Sequence, residues 1–214
     1  LGVQETGIAR YDTIAEDWLT TWDGTAGIID NEFITMLKEG DEPGTLWAGG
    51  YFGLVLINTT SSTVVVDWNL GQNTDGPTLP NQPPVDIITH TGILYYQQIT
   101  PSQSWQTRDT VFRIDLNNNT TLSSIDTTDS LGYQGQIRGM HLVQDSLWLG
   151  VSGVQTWTGS ESGDIARWNT STEDWEDSIG SYGGVQRVNA EFLGDCFPVA
   201  SNNCELWVAY GDSI

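Results

Sequence analysis

The sequence predicts an all-β protein made of four copies of one four-stranded unit. Three observations carry this. One short segment recurs as Gly7-Ile8-Ala9-Arg10-Tyr11, Gly53-Leu54-Val55-Leu56-Ile57, Thr110-Val111-Phe112-Arg113-Ile114 and Asp164-Ile165-Ala166-Arg167-Trp168, with starts 46, 57 and 54 residues apart. A second recurs ahead of the next copy of the first, as Thr45-Leu46-Trp47-Ala48-Gly49, Ile93-Leu94-Tyr95-Tyr96, Ser146-Leu147-Trp148-Leu149-Gly150 and Glu205-Leu206-Trp207-Val208-Ala209. Both are short, rich in β-branched and aromatic residues, and bounded by Gly, Asn, Asp or Ser, which are strand signals.

Two further strands complete each unit. After the first segment, a turn such as Asn58-Thr59-Thr60-Ser61 leads into Thr63-Val64-Val65-Val66-Asp67-Trp68. Ahead of the second segment lies an apolar run: Phe33-Ile34-Thr35-Met36-Leu37, then Val85-Asp86-Ile87-Ile88-Thr89, Ile137-Arg138-Gly139-Met140-His141-Leu142 and Val185-Gln186-Arg187-Val188-Asn189. A helix competes over Asp30 to Lys38, but the other three copies are poor helices, so the run is read as a strand. Four strands in roughly fifty residues fit one blade of a β-propeller. The approximate repeats are 1–52, 53–109, 110–163 and 164–214 of a single segment, the first and last sharing a blade. Leu1-Gly2-Val3 matches Leu149-Gly150-Val151, so the chain is expected to start inside a repeat, as a piece of something longer.

The stretch Ile29-Asp30-Asn31-Glu32-Phe33-Ile34-Thr35-Met36-Leu37, running into Gly44-Thr45-Leu46-Trp47-Ala48-Gly49-Gly50 and Gly53-Leu54, resembles the two-component regulator propeller repeat. That family reads as a D-N-x-hydrophobic turn, an inner strand, L-W-x-G, then a G-L strand. The resemblance extends to all four copies and is strongest here and at Leu147-Trp148-Leu149-Gly150; the second copy has Tyr in place of Trp. It implies blades ordered inner strand, L-W strand, G-L strand, outer strand. Two closures are open: a four-bladed ring, its last blade assembled from both chain ends, or half of a larger ring completed by a homodimer.

Charge narrows the partners. Against 28 acidic residues stand seven basic ones, a net charge of −21, which repels phosphate backbones and anionic membrane surfaces alike. Nucleic acid is therefore not an expected partner. No apolar run approaches the ~18 residues that span a bilayer, so direct membrane insertion is not expected either. The acidity reads as solubility in salty water, where screening removes most self-repulsion. A set of cation sites is the sharper alternative, but no D-x-D-x-D-G loop supports it.

The chain has two cysteines, Cys196 and Cys204, which flank the loop between the last inner strand and its L-W partner. They are expected to form a disulfide, which places the chain in an oxidising, extracytoplasmic location; two buried free thiols are the alternative. N-x-S/T sequons occur at Asn58, Asn118, Asn119 and Asn169, in the turn after the G-L strand of three repeats. They read as glycosylation sites or as ordinary turn residues, since Asn, Ser and Thr suit β-turns. Trp47, Trp148 and Trp207 recur at one repeat position and are expected to pack between blades, as are Trp18, Trp68 and Trp175 of the outer strands.

Trp105 and Trp157 break that pattern. They lie in insertions between the L-W and G-L strands, Gln97 to Asp109 and Ser152 to Gly163, where the earlier blade carries Tyr51 and Phe52. With Arg108 and Tyr182 these rings make a candidate ligand-binding loop face, able to stack on a sugar or grip a peptide. Plain packing at the ring's end is the other reading.

Enzyme motifs are absent: no G-x-S-x-G elbow, P-loop, dinucleotide fingerprint or sialidase-type Asp box occurs. His90 and His141 lie in successive inner strands without a repeat-matched third ligand, so no metal site and no cofactor is expected. The expected function is a non-catalytic, extracytoplasmic binding or interaction module. By resemblance it is the sensing domain of a signalling protein, recognising a carbohydrate, another small solute or a protein. A secreted or surface adhesion protein is the alternative. A polysaccharide lyase or hydrolase on this scaffold is third.

Overall fold

A computed structural model describes residues 2–3, 7–23, 34–70, 77, 79, 82–98, 110–126, 135–153, 163–179, 192–193 and 207–208. Among them every regular element is a strand: β1 (Gly2–Val3), β2 (Gly7–Asp12), β3 (Asp17–Trp22), β4 (Ile34–Glu39), β5 (Thr45–Gly50), β6 (Gly53–Asn58), β7 (Thr63–Asn69), β8 (Pro84–His90), β9 (Ile93–Gln98), β10 (Thr110–Asp115), β11 (Thr120–Asp126), β12 (Gly135–Val143), β13 (Ser146–Gly153), β14 (Gly163–Asn169), β15 (Asp174–Ile179), β16 (Phe192–Leu193) and β17 (Trp207–Val208). Asp30 to Lys38 does not form a helix where it is described; it enters β4.

Three sheets are complete four-stranded meanders, ordered β4-β5-β6-β7, β8-β9-β10-β11 and β12-β13-β14-β15. Inner, L-W, G-L and outer strands follow one another in each, the up-and-down order of a propeller blade. β1-β2-β3 forms a three-stranded sheet and β16-β17 a two-stranded one. Gly2 pairs with Ile8 as Gly150 pairs with Ile165, so β1 is the end of an L-W strand, as the match of Leu1-Gly2-Val3 to Leu149-Gly150-Val151 predicts. In the last sheet, β16 pairs with Trp207–Val208 of β17, and the run Val185 to Asn189 lies outside the described residues.

The register repeats along with the sequence. Each complete sheet has a bulge in its first strand: at Thr35 between the Ile34 and Met36 pairs, at Val85 between Pro84 and Asp86, and at Arg138 between Ile137 and Gly139. A bulge turns the strand over, so apolar residues on either side of it serve opposite faces of the blade.

Four outer turns share one construction. The side-chain Oδ1 of Asp12, Asn58, Asp115 or Asn169 accepts two backbone N–H groups, from Ile14 and Ala15, Thr60 and Ser61, Asn117 and Asn118, and Ser171 and Thr172, at 2.8–3.1 Å. Four residues after that anchor the backbone turns left-handed, with φ of 54–55° at Glu16, Ser62, Asn119 and Glu173. Asp and Asn suit the anchor because a short side chain can reach N–H groups two and three residues ahead.

The chain divides into two compact units, Leu1–Ile99 with Phe112–Ser123, and Thr100–Val111 with Ser124–Ile214. In the first, two apolar clusters join consecutive sheets. Ile8 and Trp22 pack with Ala48, Val55 and Ile57 of the second sheet, with Leu46, Phe52 and Val64 against them. From the opposite side of that sheet, Met36, Trp47, Leu54 and Trp68 pack with Ile87, Leu94, Tyr96 and Ile114 of the third. Trp47 and Trp68 therefore pack between blades as expected, 5.8 Å apart. Trp18 does not: it is 60% exposed, and the residue matching Trp68 is Trp22.

Two glycines show how closely these parts meet. Gly53, at φ +135°, leaves no room for a Cβ, which would lie 1.9 Å from the Trp68 carbonyl oxygen. Gly49, of the L-W-x-G segment, lies against Pro84 of the next sheet, whose Cγ would be 2.2 Å from an added Cβ. Polar contacts cross the same boundary: the Thr35 hydroxyl lies 2.7 Å from the Pro84 carbonyl oxygen, Lys38 Nζ pairs with Asp86 Oδ1 at 2.7 Å, and the Thr89 hydroxyl donates to Asp41.

Candidate ligand-binding loop face

The candidate face is built on the connection from each second strand to its third. In the second sheet this is a two-residue turn, Tyr51–Phe52, between Gly50 and Gly53, which pair with each other. The turn gives its two aromatics different roles. Tyr51 is 59% exposed at the tip. Phe52 is half-buried against the Ala48–Val55–Ile57 cluster, and its carbonyl accepts the Leu70 N–H at 3.4 Å. Phe52 thus anchors the turn, while Tyr51 stands exposed at its tip.

In the third and fourth sheets the same connection spans 99–109 and 154–162, between β9 and β10 and between β13 and β14. Trp105, Arg108, Trp157 and Tyr182 lie outside the described residues, as do Cys196 and Cys204.

Where the second sheet has Gly49 and Gly50 at the end of its L-W strand, the third has Gln97 and Gln98, both buried. Beside them the Tyr96 hydroxyl donates to the Gln82 carbonyl at 2.6 Å, and burial raises its pKa well above the ordinary tyrosine value. The tyrosine therefore stays a neutral donor, fixing the connection that leads into β8. Buried amides beside the 99–109 connection were not singled out by sequence reading. The replacement of the two repeat glycines by Gln97 and Gln98 was the available signal.

The sequons resolve into turn positions. Asn58 and Asn169 are first-position anchors of their turns, the place held by Asp12 and Asp115 elsewhere, so the turn itself accounts for the residue type. Asn118 and Asn119 instead hold the fourth and fifth positions of their turn. Asn118 Nδ2 donates to Asp115 Oδ2 at 2.6 Å, and Asn119 takes the left-handed conformation.

Ionisable groups in the outer hairpins serve local structure. The Asn118 side chain, with the Asn118 and Asn117 backbone N–H groups, holds the Asp115 carboxyl below its ordinary value. Backbone N–H groups of Ala15 and Ile14 do the same at Asp12. Glu176 is lowered chiefly by Asn169 Nδ2, which donates to it at 3.0 Å, with Ser146 and Arg167 adding to this. Arg167 Nε lies 2.5 Å from Glu176 Oε2, a charge contact without hydrogen-bond alignment, and its guanidinium lies 5.2 Å from the centroid of Trp148. His90 and His141 are half-buried in β8 and β12. Among the described residues no three His, Cys, Asp or Glu are grouped to hold a metal ion, and no helix is long and apolar enough to cross a membrane.

No family model matches the sequence, and no curated protein matches it. Among solved structures the chain is similar to the extracellular domain of a hybrid two-component system from B. thetaiotaomicron, at 15% identity and a TM-score of 0.43 over 91% of this chain and 29% of that one. It is also similar to a europium-containing methanol dehydrogenase, at 14% identity and a TM-score of 0.38 over 70% of this chain and 26% of that one. A third similar structure is the dihydro-heme d1 dehydrogenase NirN in complex with DHE, at 14% and 0.34 over 68% of this chain and 37% of that one. The chain thus spans well under half the length of each.

Proposed function

We propose that this chain is a non-catalytic, extracytoplasmic β-propeller segment of the two-component regulator type. In this reading it binds a carbohydrate or another small solute as the sensing part of a larger signalling protein. The observation that carries the reading is the Tyr51–Phe52 turn, which is pinned by Phe52 in the core and presents Tyr51 to solvent. The equivalent connections of the next two repeats hold Trp105 with Arg108, and Trp157. Aromatic rings on loops fixed by a rigid sheet suit a sugar ring, whose C–H faces stack while its hydroxyls take hydrogen bonds. The polar repeat of blade edges and turns forms the scaffold and takes no part in chemistry.

The test is a screen of immobilised neutral and acidic oligosaccharides, with release of reducing ends followed in parallel. Binding without turnover is expected. Tyr51→Ala, Trp105→Ala and Trp157→Ala should each weaken binding about tenfold or more while the thermal midpoint stays put. Unchanged affinity in all three variants overturns the proposed face, and turnover overturns the non-catalytic reading.

A further inference from the structure

We propose that Asn58 carries an N-linked glycan while Asn118, Asn119 and Asn169 stay bare. This rests on the extracytoplasmic location proposed above, since N-linked sugars are added on a secretory route. The turn accounts for an anchoring Asn at 58 and 169, but not for the rest of the sequon. Asp12 and Asp115 anchor the same turn with a carboxylate. Two residues after the anchor stand Ile14, Thr60, Asn117 and Ser171, and each gives its backbone N–H to the anchor. A hydroxyl at that place is therefore no requirement of the turn, whereas an N-x-S/T acceptor must have one.

What separates the four asparagines is the commitment of the side-chain amide. Glycosyl transfer forms a bond from Nδ2 to the anomeric carbon of a sugar and breaks that carbon's bond to the phosphate of a lipid-linked donor. One amide proton passes to a base of the transferase. Oδ1 keeps its acceptor role, so both N–H contacts of the turn survive in the product. At Asn58 those two contacts, from Thr60 and Ser61, are the side chain's only hydrogen bonds among the described residues, and Nδ2 is left over. Thr60 is exposed, and its hydroxyl makes no hydrogen bond among the described residues; the neighbouring Thr59 hydroxyl supplies the contact to the Gly44 carbonyl, at 2.9 Å.

The other three asparagines are committed within their own sheets. Asn169 makes the same two Oδ1 contacts, but its Nδ2 donates to Glu176 Oε1 at 3.0 Å. The Ser146 hydroxyl meets Glu176 Oε2 at 3.1 Å, so a sugar on Asn169 would stand in a joint between β13, β14 and β15. Asn118 Nδ2 donates to Asp115 Oδ2 at 2.6 Å, beside the Oδ1 that holds the turn. Asn119 takes the left-handed conformation, and Thr120 and Thr121, which complete its sequon, are the first residues of β11.

Peptide mapping by mass spectrometry of the native full-length protein, recovered from separate cytoplasmic and extracytoplasmic fractions, tests this. Extracytoplasmic protein is expected to carry sugar mass on the peptide holding Asn58 and none on those holding Asn118, Asn119 and Asn169. Thr60→Val in the same host should remove that mass and keep the fold, read by far-ultraviolet circular dichroism, since Ile14 fills the same place in the first turn. Thr60→Ser should keep the sugar. Extracytoplasmic protein bare at Asn58, sugar on any of the other three asparagines, or sugar mass that survives Thr60→Val overturns the proposal alone. Protein confined to the cytoplasm overturns the extracytoplasmic reading, and the proposal with it.

Discussion

Replacing Gly53 by alanine is expected to destabilise the second sheet far more than its position at a strand end suggests. The added Cβ would lie 1.9 Å from the Trp68 carbonyl oxygen and 2.9 Å from its carbon, at a φ of +135°. Ordinary contact needs about 3.5 Å, so one chain must move by more than about 1 Å. Trp68 cannot yield easily, because its ring is buried between Trp47 and the third sheet and its residue pairs with Leu54. Backbone strain of this kind costs about 1–3 kcal/mol, and a displaced ladder adds about 1 kcal/mol for each lost hydrogen bond. The sum is about 3 kcal/mol, which corresponds to a fall of about 6–12 °C in thermal midpoint for a chain of this length. Gly44→Ala is the matched control: φ is +79°, but the nearest atom to the new Cβ is the Thr60 hydroxyl at 3.3 Å. It carries only the left-handed penalty of about 1–2 kcal/mol. Thermal unfolding followed by far-ultraviolet circular dichroism reads both variants. Equal losses in the two, or a loss under about 1 kcal/mol for Gly53→Ala, refute the account of the carbonyl approach.

Two further outcomes are expected. Gly49→Ala should push the second and third sheets apart, because its Cβ would sit 2.2 Å from Pro84 Cγ, and should lose about 1–3 kcal/mol in denaturant titration. Pro84→Ala in the same chain removes that Cγ and should recover part of the loss, whereas additive losses would contradict the contact. The Asp12 and Asp115 anchors make two outer turns acid-sensitive. Their folded pKa values lie below the unfolded ones, so their stabilisation is present above the unfolded value and is lost as pH falls through the folded value. The double variant Asp12→Asn, Asp115→Asn keeps the accepting Oδ1, as Asn58 and Asn169 do. Because the amide lacks the charge and, at position 115, sets a second donor where Oδ2 accepts from Asn118 Nδ2, the variant should be less stable than the wild type at neutral pH and lose less stability below about pH 4, read from urea midpoints across pH.

In the three complete sheets, the strands, their order within a blade and the phase of the repeat were legible in the sequence; in the last sheet Trp207 pairs with Leu193, beyond the run Val185 to Asn189. Period-two apolar runs bounded by turn residues are local signals, and the blades are local meanders. The L-W position was equally plain, since Trp47, Tyr95 and Trp148 pair with Lys38, Ile88 and His141 at the same register. Turn chemistry was visible too: the sequons do fall in one turn of three repeats, and the structure adds that Asn118 and Asn119 stand three and four residues past their anchor.

Which face each aromatic serves was decided by tertiary structure. Trp22 lies four positions after Trp18, an even offset, so in a regular strand they share a face. A register irregularity between the Ile8 and Arg10 pairs in β2–β3 separates them: Trp22 goes into the core with Ile8, and Trp18 stands outside with Tyr11. Bulges of this kind leave little trace in the pattern of residues, because one extra residue inverts the alternation without changing composition. The sequence by itself determined a repeated four-stranded β unit with its turns and its strand order, all set by neighbours along the chain. Tertiary structure alone decided that Phe52 is an anchor while Tyr51 is exposed, that Gly49 and Gly53 are steric necessities, and that Trp22 is buried where Trp18 is not. Those properties depend on residues brought close across strands and sheets, at distances that spacing along the chain does not encode.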